Sequence, residues 1–165
     1  MSAHHLRLIL GKTELLFLPS KGCPLTDLSI SIDNTTVVPS QTAKNLGVIF
    51  DNQLSFSVYI TGTARSCRFS LYNIRKVRPL LTREATQLLV QSLVISHLDY
   101  CNVLLTGLPT SVIQPLQLIQ NAAARLVYNQ TKFSHVTPLF RNLHWLPISA
   151  HIKTLPTGHF TKQVK

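Results

Sequence analysis

The spacing of apolar residues changes near residue 57, and this change divides the chain into two kinds of predicted structure. Before that point Ile30 and Ile32 alternate with serines, which is the period-two pattern of a strand with one solvated face. Asp33-Asn34 is a plausible turn that returns the chain toward Val38 as a hairpin. After residue 57 the apolar residues are spaced three and four apart, which is typical of amphipathic helices.

Three other segments complete the predicted sheet region. Residues 6–18 are interpreted as two short strands, or as a helix end and a strand, joined around Gly11-Lys12. Residues 39–44 are predicted to be a loop. Residues 45–51 (NLGVIFD) are predicted to be a third strand with Leu46 and Val48 in the core, and Gly47 lies where a side chain would obstruct packing. Residues 6–51 therefore predict a short antiparallel β region.

The first predicted helix carries two stripes side by side. Its apolar residues gather on one side of the helix, and they are Ile60, Ala64, Cys67, Leu71 and Ile74. At about 100° per residue, a neighbouring stripe holds four cations around an aromatic ring, namely Arg65, Arg68, Tyr72, Arg75 and Lys76. Two interpretations remain open. The second stripe is either a solvated charged face or a surface that contacts a phosphate backbone while the first stripe packs into a core.

Residues that end and start helices predict the next elements of the bundle. Pro79 ends the first helix, because its ring clashes with the preceding turn and it has no N–H to donate. Thr82 is the predicted N-cap of the second helix, and Glu84 lies in its first turn on the favourable side of the helix dipole. Pro115 is placed near the start of a third helix. The apolar side of that helix is predicted to hold Leu116, Ile119, Ala123, Leu126 and Val127.

The last helical signals lie between residues 137 and 153. Thr137-Pro138 is the start signature of a fourth, short helix that continues to Leu143, and a short fifth helix is possible after Pro147. The predicted class is α+β, with a partial sheet domain in residues 1–57 and a bundle of about four helices in residues 58–153. Residues 154–165 have no apolar period and are predicted to be a divergent tail.

The charge of the chain is concentrated in its second part. Residues 1–57 hold four basic and four acidic side chains, whereas residues 58–165 hold twelve basic residues against Glu84 and Asp99. The whole net charge of +10 therefore belongs to the predicted helical region. Such a distribution favours a polyanionic partner, and nucleic acid is preferred over an anionic membrane.

The cysteines and the hydropathy pattern bear on the compartment. Cys23, Cys67 and Cys101 are widely spaced and form no C-x-x-C pair, so they are interpreted as free thiols in a reducing compartment. No secretory signal and no membrane-spanning run is found. We expect an intracellular protein, in the nucleus or the cytoplasm.

The catalytic motifs that can be recognised in a single sequence are missing. There is no P-loop, no G-x-S-x-G, no H-E-x-x-H and no G-x-G-x-x-G. The acidic residues are too few and too scattered for a two-metal centre, and no metal site is predicted. His97 and Asp99 flank Leu98, but a helix-capping or core hydrogen-bonding role is favoured for them over a catalytic one.

The order of the segments resembles that of non-LTR retrotransposon reverse transcriptases, in the part that follows the catalytic Asp-Asp motif. The resemblance covers roughly residues 4–153 and rests on KTELL, LGVIFD, SHLDYCN, LIQNAAARLV and LHWLPI in that order. Each motif is modest alone, and the series is specific. The resemblance implies the end of the polymerase palm followed by the thumb.

The resemblance also implies roles for individual residues. Lys12 matches the lysine of polymerase motif D, which lies near the incoming nucleotide and can act as a general acid. Leu46, Gly47 and Val48 match motif E, the primer-grip hairpin. The helices from Val58 onward match the thumb, in which Arg65, Arg68, Tyr72, Arg75 and Lys76 would contact the template–primer duplex. Such phosphate contacts position a duplex without reading its sequence.

The metal-binding aspartates of the family are absent from the sequence. The chain is therefore expected to be a truncated fragment that requires no cofactor by itself, although the intact enzymes use Mg²⁺. Its expected partners are an RNA–DNA hybrid, bound weakly, and the missing part of the polymerase. Two alternatives remain open, namely a helical protein-interaction module and a translated relic without a function.

Overall fold

The computed structural model describes residues 9–19, 29–32 and 34–154. The chain forms two compact units that divide after Val58, and the boundary predicted from the sequence falls between residues 57 and 58. Cys23 and most of the predicted tail lie outside the described residues, as do residues 6–8 of the first predicted strand.

The described residues of the first unit form six short strands that pair two by two. They are β1 (Leu15–Leu16), β2 (Ile30–Ile32), β3 (Thr35–Val37), β4 (Pro39–Ser40), β5 (Thr42–Asn45) and β6 (Val48–Asp51), preceded by a 3₁₀ turn at Leu10–Lys12. Strands β2 and β3 form the predicted antiparallel hairpin, with Ile32 opposite Thr35. Strands β5 and β6 form a second antiparallel hairpin.

The β5–β6 hairpin corrects two predictions. Residues 39–44 are not a loop, because β4 and most of β5 lie there. The third strand does not begin at Asn45 and run through to Asp51, since Asn45 pairs with Val48 across a two-residue turn. Leu46 and Gly47 form this turn with φ angles of 47° and 85°, and two successive positive φ angles match the twist of a tight hairpin.

The pairing of β1 with β4 is parallel, with Leu15 opposite Pro39. This differs from the purely antiparallel region that was predicted. Proline is compatible with a strand that lacks a neighbour on the side of its missing N–H. The Ser40 hydroxyl adds a hydrogen bond to the Leu15 carbonyl oxygen at 3.3 Å.

The second unit is helical. Its elements are α1 (Ser57–Val77), α2 (Arg83–Val90), a π-helical segment (Gln91–Ile95), α3 (Ser96–Asp99), α4 (Thr110–Val127), α5 (Thr137–Leu143) and α6 (Ile148–Thr154). The segments α2, π and α3 follow one another without a break. Helix α4 packs against α2, α5 and α6.

The predicted apolar stripes form the core of this unit. All five apolar residues predicted for α1 are buried, as are all five predicted for α4. Thr82 caps α2 by accepting a hydrogen bond from the Ala85 amide at 3.1 Å. Helix α1 ends at Val77, two residues before Pro79. The structure therefore confirms four local predictions, namely the two apolar stripes, the cap at Thr82 and the end of α1 before Pro79.

Helix α4 begins earlier than predicted. It starts at Thr110, directly after Pro109, so Pro115 lies inside the helix rather than at its start. Proline at this position removes the amide that would bond to the Ser111 carbonyl. The loss falls near the N-terminus of the helix, and the following residues remain helical.

The α+β class is confirmed, with a small strand region followed by helices. The short fourth helix, α5, ends at Leu143 as predicted, but Thr137 is its first helical residue and not its N-cap. The N-cap residue is Val136, which makes no side-chain capping bond. Helix α6 follows Pro147. Within the described ranges, no helix combines the length and the apolar character needed to cross a membrane.

Candidate nucleic-acid interface

The α1 surface beside the buried stripe holds the five residues predicted to bind nucleic acid. The side chains of Arg65, Arg68, Tyr72, Arg75 and Lys76 are all exposed. The neighbouring buried stripe is fixed in the core, where the Cys67 thiol lies 3.9 Å from the Val94 carbonyl oxygen. The register of α1 therefore turns its cations outward.

Three of these five residues line one groove between α1 and α4. Arg68, Tyr72 and Arg75 form the α1 side, and the α4 side contains Leu118, Ile119 and Ala122. The groove has a volume of about 380 Å³. We call it the α1–α4 groove.

The other two residues, Arg65 and Lys76, lie outside the lining of this groove. The Lys76 ammonium is 4.5 Å from the centroid of the Tyr72 ring, within the range of a cation–π interaction. Lys76 therefore contributes charge close to the groove and also orients the aromatic ring that borders it.

No carboxylate in the described ranges forms an ion pair with the α1 cations. The two ion pairs found there join Arg83 to Glu84 and His151 to Asp99. The described residues therefore leave the positive charge of the α1 face uncompensated, and a polyanion that binds there would release its own counterions.

Arg78 is a fourth arginine in this region, and no sequence pattern distinguishes it from its neighbours. Its guanidinium donates to three carbonyl oxygens, those of Leu81 at 2.9 Å, Val127 at 3.1 Å and Leu126 at 3.3 Å. Two of these belong to the last turn of α4, where carbonyl groups have no intrahelical partner. Arg78 thus caps α4 from the segment that joins α1 to α2.

Gln117 and Gln120 of α4 hold the LHWLPI segment in place. The Gln120 side-chain amide donates to the Leu146 carbonyl oxygen at 2.9 Å, and the Gln117 side-chain oxygen accepts from the Ile148 amide at 2.9 Å. Two segments of the resemblance, LIQNAAARLV and LHWLPI, therefore contact each other directly. Neither glutamine was singled out in the sequence.

Asp99 has the hydrogen-bonding role that was favoured for it, but His97 is not its partner. Its Oδ1 lies 3.0 Å from His151 Nδ1 and accepts from Asn102 Nδ2 at 3.2 Å. This carboxylate joins the end of α3 to α6.

The first unit contains the other predicted residues. Lys12 ends the 3₁₀ turn and its side chain is exposed. Val48 is buried at the start of β6, as predicted for a core residue. Leu46 contradicts the prediction of a core position, since 83% of its surface is exposed at the hairpin turn.

Asp51 organises the loop between β6 and α1. Its carboxylate accepts hydrogen bonds from the amides of Phe56 at 2.7 Å, Ser55 at 2.9 Å and Gln53 at 3.1 Å, and from the Ser55 hydroxyl at 3.1 Å. Burial alone would raise the pKa of Asp51, but these hydrogen bonds outweigh it, so the pKa lies below its ordinary value. Leu54 and Phe56 have positive φ angles in this loop, and the carboxylate offsets that strain.

The described residues do not fit the Mg²⁺ centre that the resemblance implies for intact enzymes. Within those ranges, no three His, Cys, Asp or Glu side chains are grouped in a way that could hold a metal ion. We therefore derive no step through a metal.

The chain shows no significant match to any protein-family model, any curated protein or any solved structure.

Proposed function

We propose that the chain is the palm end and thumb of a non-LTR retrotransposon reverse transcriptase, and that it binds the backbone of a template–primer duplex through α1. The observation that carries the proposal is the exposed basic face of α1, whose cations form no ion pair with a described carboxylate and which has Arg68, Tyr72 and Arg75 along one groove. The order of the sequence motifs supports the family, and the positive charge of the second unit supports a polyanionic ligand.

The β5–β6 hairpin supports the same proposal from the first unit. In this reading Leu46, Gly47 and Val48 are the primer grip, and an exposed leucine at a tight turn suits contact with a primer end. Lys12 is the motif D lysine. The sequence holds no Asp-Asp motif, so we expect this chain alone to extend no primer in the presence of Mg²⁺, and measurable incorporation would contradict that part of the proposal.

Binding can be tested with the full chain and a fluorescent RNA–DNA hybrid, by anisotropy at several salt concentrations. If the four cations of the α1 face each contact a phosphate, affinity should fall about a hundredfold between about 50 and 200 mM salt. Arg68→Glu should weaken binding strongly, and Arg141→Glu, an exposed arginine on α5, is the matched control. An affinity that is indifferent to salt, or equal losses in the two variants, would contradict the proposal.

A helical protein-interaction module is the second candidate. The observation that favours it is the apolar side of the α1–α4 groove, where Leu118 is 54% exposed beside Tyr72. If the chain is such a module, Leu118→Ser should abolish binding of the protein partner. The RNA–DNA hybrid should then bind neither the unmodified chain nor the Arg68→Glu variant. A relic without a function would bind neither a protein partner nor the hybrid.

We further propose an intracellular, reducing location, on the basis of the unpaired thiols of Cys67 and Cys101.

A further inference from the structure

A second cavity adjoins the α1–α4 groove at Arg75 and Ala122. It has a volume of about 680 Å³ and lies where the ends of α1 and α4 meet the turn that follows α4. Among the described residues, its lining holds four cations and no carboxylate, and the cations are Arg75, Arg78, Arg125 and Lys132. We call this cavity the basic pocket.

Two of the four cations are held rigidly by carbonyl oxygens. Arg78 has the three bonds described above, and the Arg125 Nε donates to the Ser134 carbonyl oxygen at 2.9 Å. Carbonyl dipoles satisfy the donors without cancelling the full charge, and no acidic side chain in the described part of the chain forms an ion pair with either arginine. The pocket is therefore a fixed concentration of positive charge, which attracts an anion.

The other two cations can reach a ligand. Arg75 and Lys132 are exposed. Between Arg125 and Lys132 the chain turns sharply at Asn129, whose φ is 52°, and the Gln130 amide bonds to the Arg125 carbonyl at 2.8 Å. Lys132, which follows this turn, lies in the lining of the pocket.

An aromatic ring beside Lys132 indicates which anion fits. Phe133 is 82% exposed, and the Lys132 ammonium lies 4.9 Å from its ring centroid. The pair repeats the chemistry of Lys76 and Tyr72 on α1. A cation next to an exposed aromatic ring suits a nucleic-acid strand, whose phosphates meet the cation and whose bases or sugars stack on the ring. A free inorganic anion would use the charge and leave the ring unused.

We propose that the basic pocket binds a backbone phosphate of a nucleic-acid strand, with Arg75 and Lys132 as direct contacts and Arg78 and Arg125 as fixed charges behind them. The inference rests on the proposed function and extends its interface from α1 to the turn after α4. Lys132 and Phe133, which the sequence pattern did not single out, become part of the binding surface.

The test compares Lys132→Gln with Arg141→Gln in the full chain, since each removes one exposed positive charge from the helical unit. With the hybrid probe, Lys132→Gln should weaken binding about fivefold and reduce the slope of log affinity against log salt by about one. Arg141→Gln should change affinity less than about twofold. Phe133→Ala should weaken binding without changing the slope, because it removes stacking and no charge.

The outcomes separate this inference from the proposed function. If Arg68→Glu abolishes binding of the hybrid while Lys132→Gln and Arg141→Gln bind it with the same affinity, the interface on α1 is supported. The basic pocket is then not part of that interface. If the unmodified chain fails to bind the hybrid at low salt, the proposed function fails. If that chain nevertheless shows a shift of the Thr131 amide resonance when inorganic phosphate is added, the pocket binds a free anion. That result would overturn our proposal that the anion is a nucleic-acid phosphate.

Discussion

The guanidinium of Arg78 donates a hydrogen bond from Nε to the carbonyl oxygen of Leu126, 48 residues further along the chain. Because Arg75 lies only one turn earlier and is exposed, two arginines of the same short segment have different tasks. Arg78 stabilises the fold, and Arg75 borders two cavities that are open to a ligand.

Exchanging each of these arginines for lysine should separate the two tasks. Arg78→Lys keeps the charge but cannot hold three carbonyl oxygens, so the free energy of unfolding should fall by about 2 kcal/mol. Arg75→Lys should change it by less than about 0.5 kcal/mol. Urea unfolding followed by circular dichroism measures both variants. Equal losses would show that Arg78 does not act as the cap of α4.

The difference between these arginines marks the limit of what the sequence could predict. The stripe from Ile60 to Ile74 repeats at the helical period, and Thr82 accepts a hydrogen bond from an amide three residues further on. Both features can therefore be predicted from neighbouring residues. The bonds of Arg78 to the end of α4 join segments that are distant in sequence. No local pattern contains them, and the basic pocket was missed for the same reason.

The hairpin turn was missed for a different reason. Leu46 was interpreted as a strand residue because it is apolar, although Leu-Gly provides the glycine that a tight turn needs at its second position. The Asp51 loop was also overlooked, since an aspartate after a strand is common and only its four hydrogen bonds reveal what it does.

Removing the charge of Asp51 should loosen the loop that follows β6. Asp51→Asn can accept fewer of the four hydrogen bonds, so the protection of the Ser55 and Phe56 amides against exchange should drop by about 2 kcal/mol near neutral pH. The folded-state pKa lies below the ordinary value of 3.8, so the carboxylate contributes its stability above that value and loses it as the pH falls through the folded pKa.

The gap in amide protection between unmodified chain and variant should therefore be constant near neutrality and close only in acid below the ordinary value. Ser55→Ala, which removes one hydroxyl bond to the same carboxylate, is the graded control. A gap that does not vary with pH would contradict an ionised Asp51.

The thiols should differ in reactivity. Cys67 is fully buried, and burial raises its pKa from 9.0 to about 11, which lowers its thiolate fraction about a hundredfold near neutral pH. Cys101 is half-buried. Maleimide labelling of the native chain, followed by peptide mass analysis, should modify Cys101 much faster than Cys67. In denaturant the two rates should converge, and fast native labelling of Cys67 would contradict the packing of α1.

Leu46→Asn tests whether the exposed leucine of the β5–β6 turn contributes to nucleic-acid binding at the expense of hairpin stability. A leucine at φ 47° costs about 1 kcal/mol relative to a residue that tolerates the left-handed region. Asn-Gly is the preferred pair for this turn, so the variant hairpin should be more stable by about that amount. Amide exchange at Asn45 and Val48, which pair with each other across the turn, reports the gain.

If Leu46 contacts the primer end, the same variant should bind the hybrid severalfold more weakly with an unchanged salt slope, because the lost contact is apolar. Val38→Asn, an exposed apolar residue of the same unit with an ordinary backbone, should alter neither property. A Leu46→Asn hairpin that is more stable and binds the hybrid as well as before would show that this leucine is no part of a primer grip.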